Sequence, residues 1–296
     1  MKEFISIKSL GRADLETLVE DASQLRSALD EGQEIPADLK GSCLVNLFFE
    51  PSTRTRLSFD LAAQRLGAHV LTFFPETSST TKGESLRDTV LTVAAIGADF
   101  LVVRHGKEGV PQKVADWTGL PVVNAGDGAN EHPTQALLDA VTLYRRFGGL
   151  DGLRMAIVGD ISHSRVAGSL ISAMPAFGVD LTLVAPEAWL PAEPTAPTTS
   201  DLDDLLPDLD VVYLLRVQKE RGGVIDDDFI ERYGVDSRRA SRLGPDAVIM
   251  HPGPINRGVE LSEEVADSSR SLIVEQVRNG VPARMSVLRA LDRGAR

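Results

Sequence analysis

Short apolar runs alternate with helical patterns along most of the chain. Strand-like runs fall at 42–49, 68–74, 99–103 and 121–124. Between them, residues 55–67 set Leu57, Phe59, Leu61, Ala62 and Leu66 at helical spacing, and residues 85–96 form a second helical pattern. Such alternation predicts a parallel sheet with helices on its faces. The rhythm restarts after a long helical run at 133–147, with strands predicted at 154–158, 180–184, 210–215 and 247–250. The expectation is an α/β fold of two domains, each a parallel sheet flanked by helices, joined by the helix that begins after His132. Residues 1–132 would form the first domain and 133–280 the second. Helices are also predicted at 262–277 and 281–291, broken at Asn279-Gly280. The Pro-rich stretch 186–197 predicts a surface loop leading to a polar helix start at 201–204.

Chemistry concentrates where the first strand meets its helix, in Glu50-Pro51-Ser52-Thr53-Arg54-Thr55-Arg56. Residues 52–54 fall at a predicted helix N-terminus, where unsatisfied backbone N–H groups and the helix dipole favour an anion. Capping needs one hydroxyl, whereas this run has three hydroxyls, two alternating guanidiniums and a Pro-fixed turn. Arginine adds paired donors suited to phosphate oxygens. The pattern predicts a phosphate site, and it is not a nucleotide P-loop, because G-x-x-x-x-G-K-[ST] does not occur. The second unit opens with Met155-Ala156-Ile157-Val158-Gly159-Asp160, a strand and turn with a single Gly where a dinucleotide fold has G-x-G-x-x-G. Nicotinamide binding is therefore not expected.

Composition narrows the classes. With 296 residues, 43% apolar and 25% charged, the chain has the balance of a globular protein with substantial cores. Its one cysteine, Cys43, excludes an intrachain disulfide and a cysteine zinc cluster, and its place in an apolar strand predicts packing rather than nucleophilic chemistry. A net charge of −12 argues against nucleic-acid partners. No signal peptide or membrane-length apolar run is apparent, so a cytoplasmic location and no membrane partner are expected.

The run 52–56, followed by His132-Pro133-Thr134-Gln135, resembles the carbamoyl phosphate signature of the aspartate and ornithine carbamoyltransferases, and separated motifs in family order extend the resemblance from about Ser42 to about Arg289. The resemblance implies that the last helix, about 281–296, crosses back to the first domain. It implies that Ser52, Thr53, Arg54, Thr55 and Arg104 hold the phosphate, and that Thr55, Arg104 and His132 polarise the carbonyl. His132 stands apart from His69, His105 and His163 because it opens a strand-to-helix motif with Pro133 at the first helical position. Gln135, with backbone groups near Gly253 and Pro254, would bind the carbamoyl nitrogen side. The polar loop 78–85 resembles a loop that enters a neighbouring subunit's site. That brings in Ser78 and Lys82 and implies a homotrimer with shared sites.

Arg165, Arg216 and Gln218 match aspartate-binding positions. The run His251-Pro252-Gly253-Pro254 replaces the His-Cys-Leu-Pro of ornithine enzymes, and no Ser-Met-Gly occurs. The implied reaction joins carbamoyl phosphate and L-aspartate to give N-carbamoyl-L-aspartate and phosphate in de novo pyrimidine biosynthesis, with no metal or organic cofactor. Whether a regulatory chain or a dihydroorotase docks on such a trimer is not written in these motifs.

Overall fold

The computed structural model describes residues 1–217 and 227–295. Two compact units divide it, one of Met1–Val141 with Arg278–Arg296 and one of Thr142–Val277. The first unit runs α1 (Arg12–Asp30), β1 (Cys43–Phe48), α2 (Thr53–Arg65), β2 (His69–Phe73), α3 (Leu86–Ile96), β3 (Phe100–His105), α4 (Val110–Thr118), β4 (Val122–Asp127) and α5 (Pro133–Phe147), whose last turn passes into the second unit. Its sheet has the order β2-β1-β3-β4, all parallel.

Alternation along each strand sends successive side chains to opposite faces. Val45, Leu47, Leu101, Val103 and Val122 pack with Val90 of α3 and Val110, Val114 and Ala115 of α4. Between Val45 and Leu47, the buried Asn46 donates at 2.6 Å to Asp60 of α2 on the other face. With both faces covered, the strands read as nearly continuous apolar runs. The N-terminal segment pairs beside β4, Phe4 N donating to Val122 O and Asn124 N to Phe4 O, each at 2.9 Å. Glu131 secures it further by accepting from Ser6 Oγ at 2.6 Å and Ile7 N at 2.9 Å.

The second unit runs β5 (Arg154–Val158), α6 (Arg165–Ala176), β6 (Asp180–Val184), β7 (Thr198–Thr199), β8 (Val211–Leu214), α7 (Asp227–Tyr233), α8 (Ser237–Ala240), β9 (Val248–Met250), α9 (Glu263–Ala266) and the start of α10 (Ile273–Ala295). Its parallel sheet has the order β7-β6-β5-β8-β9. Ala156, Val158, Val212, Leu214 and Ile249 share a core with Leu206, Phe229, Tyr233 and Leu243.

The C-terminal helix contacts first-unit helices, as the resemblance implied. Ser286 Oγ donates to Leu18 O of α1 at 3.0 Å, and Arg289 reaches Asp21 at 3.0 Å. The local reading of this region needs correction. α10 runs unbroken through Asn279, Gly280 and Pro282. A Cβ on Gly280 would come 2.7 Å from Arg284 Nη1 and 3.7 Å from Leu138 Cδ2, so this glycine serves close packing rather than helix ending. Pro282 removes one N–H from the ladder, and in the same turn the Arg284 guanidinium donates to Gly280 O at 2.9 Å. Residues 262–277 are not one helix either. After α9 the chain pairs beside β9, with Ile249 N donating to Arg270 O at 2.8 Å and Leu272 N to Ile249 O at 2.9 Å. The polar run 201–204 is a turn, in which Asp203 accepts from Arg239 and Arg242. Within the Pro-rich stretch, the 3-10 turn Glu187–Trp189 packs its indole on Phe229, ring centres 5.0 Å apart.

Candidate functional site

In an open parallel sheet, ligands bind outside the carboxyl ends of the strands where the chain order reverses. In the first unit that point lies between β1 and β3. All four of its strands end at the same edge, so the loops that follow them collect there. These loops carry every first-unit candidate: 52–55 after β1, 78–82 after β2, Arg104 near the end of β3, and 132–135 after β4.

After β1 the chain turns through Glu50-Pro51, with Phe49 N donating to Arg104 O at 2.9 Å. Ser52 is the residue before α2, in extended backbone, and its side chain makes no capping bond. The simple capping explanation for this hydroxyl therefore fails, and the first-turn N–H groups of α2 are not spent on it. Thr55 is buried, while Thr53 and Arg54 are exposed. Arg104 pairs in register with Phe48, donates through Nη1 to Ala125 O at 3.1 Å, and lies 3.7 Å from Glu50 Oε2 through Nε. Held by β4 and by the β1 loop, its guanidinium is positioned before any ligand arrives.

His132 is buried and stands directly before Pro133, the first residue of α5. Its Nδ1 lies 3.5 Å from Thr134 Oγ1, and its carbonyl accepts from Gln135 N at 2.9 Å. The turn before it is organised by buried Asp127, which accepts from Gly109 N and Asn124 Nδ2 at 2.8 Å and from Asn130 Nδ2 at 3.1 Å. His105 is a structural histidine. It packs against Phe49, its Nδ1 accepts from Lys107 N at 2.9 Å, and burial pushes its pKa down, which favours the neutral ring.

Ser78 is absorbed in its own loop. Its hydroxyl donates to Pro75 O at 2.9 Å and bonds Thr80 Oγ1 at 2.7 Å. Lys82 ends the 3-10 helix Ser79–Lys82 and is exposed. Cys43 is half-buried at the start of β1, and burial and Asp99 raise its pKa, which keeps the thiol protonated.

The second unit reverses its strand order between β5 and β8. Gly159 ends β5 with φ 117°, and a Cβ there would sit 3.2 Å from Leu215 O, so the two strand ends approach closely only with glycine. Asp160 follows, buried and 2.7 Å from His163 Nδ1. Ser164 caps α6 by accepting from Ala167 N at 3.3 Å, and Arg165, the first helical residue, is buried. Arg216 follows β8 and is half-buried. Gln218 lies outside the described residues. Gly253 and Pro254 follow β9, joined by a cis peptide, with Gly253 N donating to His251 Nδ1 at 2.8 Å. Thus Arg165, Arg216 and the 253–254 loop share the carboxyl edge of β5, β8 and β9.

Three carboxylates that organise these loops were missed from sequence. Glu50 braces Arg104, Asp139 binds Gln135, and Glu260 accepts from Val217 N at 3.0 Å, Asn256 N at 2.8 Å and Asn256 Nδ2 at 2.7 Å. Glu50 was legible, since it lies inside the most polar strand-to-helix junction; nothing local marks Asp139 or Glu260. A concavity of about 440 Å³ elsewhere on the first unit, lined by Asp38, Lys40, Arg289, Asp292 and Arg293, contains none of the candidates and has mixed charge. Among the described residues, no group of His, Cys, Asp or Glu could hold a metal ion.

These features define a class: a parallel α/β protein of two units, each with guanidiniums at its strand-order reversal. The family model "Aspartate/ornithine carbamoyltransferase, carbamoyl-P binding domain" matches residues 2–145, and "Aspartate/ornithine carbamoyltransferase, Asp/Orn binding domain" matches residues 151–291. The chain belongs to the aspartate/ornithine carbamoyltransferase family. It is 50% identical over 309 residues to a Nocardioides aspartate carbamoyltransferase catalytic subunit, with 99% of this chain and 95% of that protein covered. Among solved structures it resembles Trypanosoma cruzi aspartate transcarbamoylase in complex with carbamoyl aspartate and phosphate, at TM-score 0.92 and 33% identity over 98% of this chain and 95% of the other. It also resembles the catalytic subunit of M. jannaschii aspartate transcarbamoylase, at TM-score 0.88 and 35% identity over 99% of each chain.

Proposed function

We propose that this chain transfers the carbamoyl group of carbamoyl phosphate to the amine of L-aspartate, releasing N-carbamoyl-L-aspartate and phosphate. The observation that carries the proposal is the placement of Arg54 and Arg104 with three hydroxyls at one strand-order reversal, and of Arg165 and Arg216 at the other. Relatives named for this activity and a similar structure holding its products support it.

In this reading the α2 N-terminus, Ser52, Thr53, Arg54, Thr55 and Arg104 bind the phosphate, while Thr55, Arg104 and His132 stabilise the carbonyl oxygen as the amine attacks. Gln135 accepts from the carbamoyl nitrogen. The new C–N bond forms as the C–O bond to phosphate breaks, and the departing phosphate takes the proton lost by the amine. Arg165, Arg216 and Gln218 bind the two carboxylates of aspartate, with Gly253 and Pro254 supplying backbone groups to the carbamoyl end.

The product can close to a six-membered ring by one amide condensation, which supports a role in de novo pyrimidine biosynthesis, and a cytoplasmic location belongs to the same reading. No helix among the described residues is long and apolar enough to cross a membrane. Self-association into a trimer, with Ser78 and Lys82 serving a neighbour's site, is supported by exposed Leu57 and Leu61 on α2, Leu71 and Phe74 at the β2 edge strand, and Leu91 and Ile96 on α3.

The test is phosphate release from carbamoyl phosphate with L-aspartate and L-ornithine as parallel acceptors, and carbamoyl-aspartate assayed directly. Aspartate-dependent turnover is expected. Turnover with ornithine alone would overturn the acceptor assignment, and silence with both would overturn the catalytic reading.

A further inference from the structure

Asp139 is wholly buried on α5, one turn after Gln135, and its Oδ1 accepts from Gln135 Nε2 at 3.0 Å. A carboxylate offers only acceptors, so this bond fixes the Gln135 amide with its nitrogen toward Asp139 and its carbonyl oxygen away. Among the described residues no donor meets that oxygen. Asp139 acts electrostatically on Arg284, also fully buried, whose pKa burial lowers to about 10 while Asp139 opposes the fall. Arg284 remains a cation at neutral pH and is itself held by Gly280 O at 2.9 Å and by the Phe59 ring, 5.0 Å from its guanidinium carbon. A four-residue helix staple explains the Gln135 bond in isolation. Burying a carboxylate and a guanidinium costs far more than such a staple returns, so the buried pair calls for another role.

We propose that Asp139 is a positioning residue that sets the acyl-donor specificity of the site. By holding the Gln135 carbonyl outward, it makes the site accept an acyl phosphate bearing an N–H donor beside the reacting carbonyl and reject one bearing a methyl group there. This rests on the carbamoyl phosphate reading given above. Carbamoyl and acetyl phosphate have nearly the same shape, and the discrimination comes from leaving the Gln135 oxygen without a donor when the methyl faces it. Loss of such a bond is worth about tenfold to a hundredfold in affinity.

The test measures binding of carbamoyl phosphate, acetyl phosphate and inorganic phosphate, without amino acid, to wild type, Asp139→Asn, Asp139→Ser, Gln135→Ala and the Gln135→Ala/Asp139→Asn double variant. Wild type is expected to prefer carbamoyl over acetyl phosphate by about tenfold or more. Asp139→Asn should move that ratio toward one, because an Asn amide pairs with Gln135 in either orientation, while phosphate affinity stays constant. In the Gln135→Ala background, Asp139→Asn should add nothing to the ratio. A merely structural role would weaken all three ligands together and persist in that background. An unchanged ratio in a folded Asp139 variant overturns the proposal, as does a wild-type ratio near one should neither variant fold. Failure of the carbamoyl-transfer reading shows separately, as absence of aspartate-dependent phosphate release by wild type.

Discussion

The two strand-order reversals are built differently although each places a serine and an arginine at the start of a helix. Ser52 precedes α2 without capping it, whereas Ser164 caps α6 through Ala167 N. The first helix therefore does not spend its N-terminal donors on its serine, and the second satisfies part of its own. In the proposed reading, an anion at α2 meets backbone, hydroxyls and guanidiniums together, and an anion at α6 meets chiefly the Arg165 side chain. A backbone cradle suits the invariant phosphate of one substrate, and side-chain recognition suits an acceptor whose identity distinguishes members of a family.

The sharpest way to break this contrast is Arg54→Ala. Arg54 is exposed, so melting temperature should hold while kcat falls by about 10²–10³. Steady-state kinetics with near-normal turnover would remove Arg54 from the charge-stabilising set. Arg216→Ala comes next, with the KM for aspartate raised by about ten- to a hundredfold and that for carbamoyl phosphate nearly constant. An equal rise for both substrates would erase the division between the two units. The serine pair gives a smaller, crossed effect. Ser164→Ala should cost about 1 kcal/mol of stability as a lost cap. Ser52→Ala should leave stability within a few tenths of a kcal/mol and lower phosphate affinity instead. Chemical denaturation beside phosphate titration reads both, and a stability loss at Ser52 would show that capping occurs there.

What was legible in the sequence was local. The 52–56 run, the His132-Pro133 junction and Arg216 after its strand declare themselves through neighbours in the chain, because strand ends and helix starts are set within a few residues. Partners distant in sequence were not. Glu260 lies 43 residues from the Val217 N–H it accepts, and Asp203 lies 36 from Arg239. The same limit explains the misread helix: Asn279-Gly280 and Pro282 are strong local breakers, but packing of Gly280 against Leu138 and the Arg284 donor to its carbonyl override them. Residues 268–272 lost their predicted helix to hydrogen bonds with β9, a competition that periodicity does not register.

The finest test of how the second unit is held uses two of its carboxylates with opposite pH behaviour. Burial raises the pKa of Glu260 despite the donors around it, whereas hydrogen bonding and charge from Arg239 lower that of Asp203. For Glu260, the folded state holds its proton more tightly than the unfolded state. Its contribution to stability is therefore greatest below the unfolded pKa of about 4.5 and declines as pH rises toward the folded value. For Asp203, the folded state releases its proton more readily. Its contribution is full above the unfolded value of about 3.8 and disappears as pH falls through the folded one. Denaturant melts from pH 3 to 7 should show that Asp203→Asn narrows the gap to wild type on the acid side. Glu260→Gln, which turns one acceptor into a donor facing Asn256 N, should destabilise throughout but flatten the pH dependence just above 4.5. Parallel wild-type and variant curves for either residue would mean that its carboxylate is equally stabilised in both states and that the loop it holds depends on other contacts.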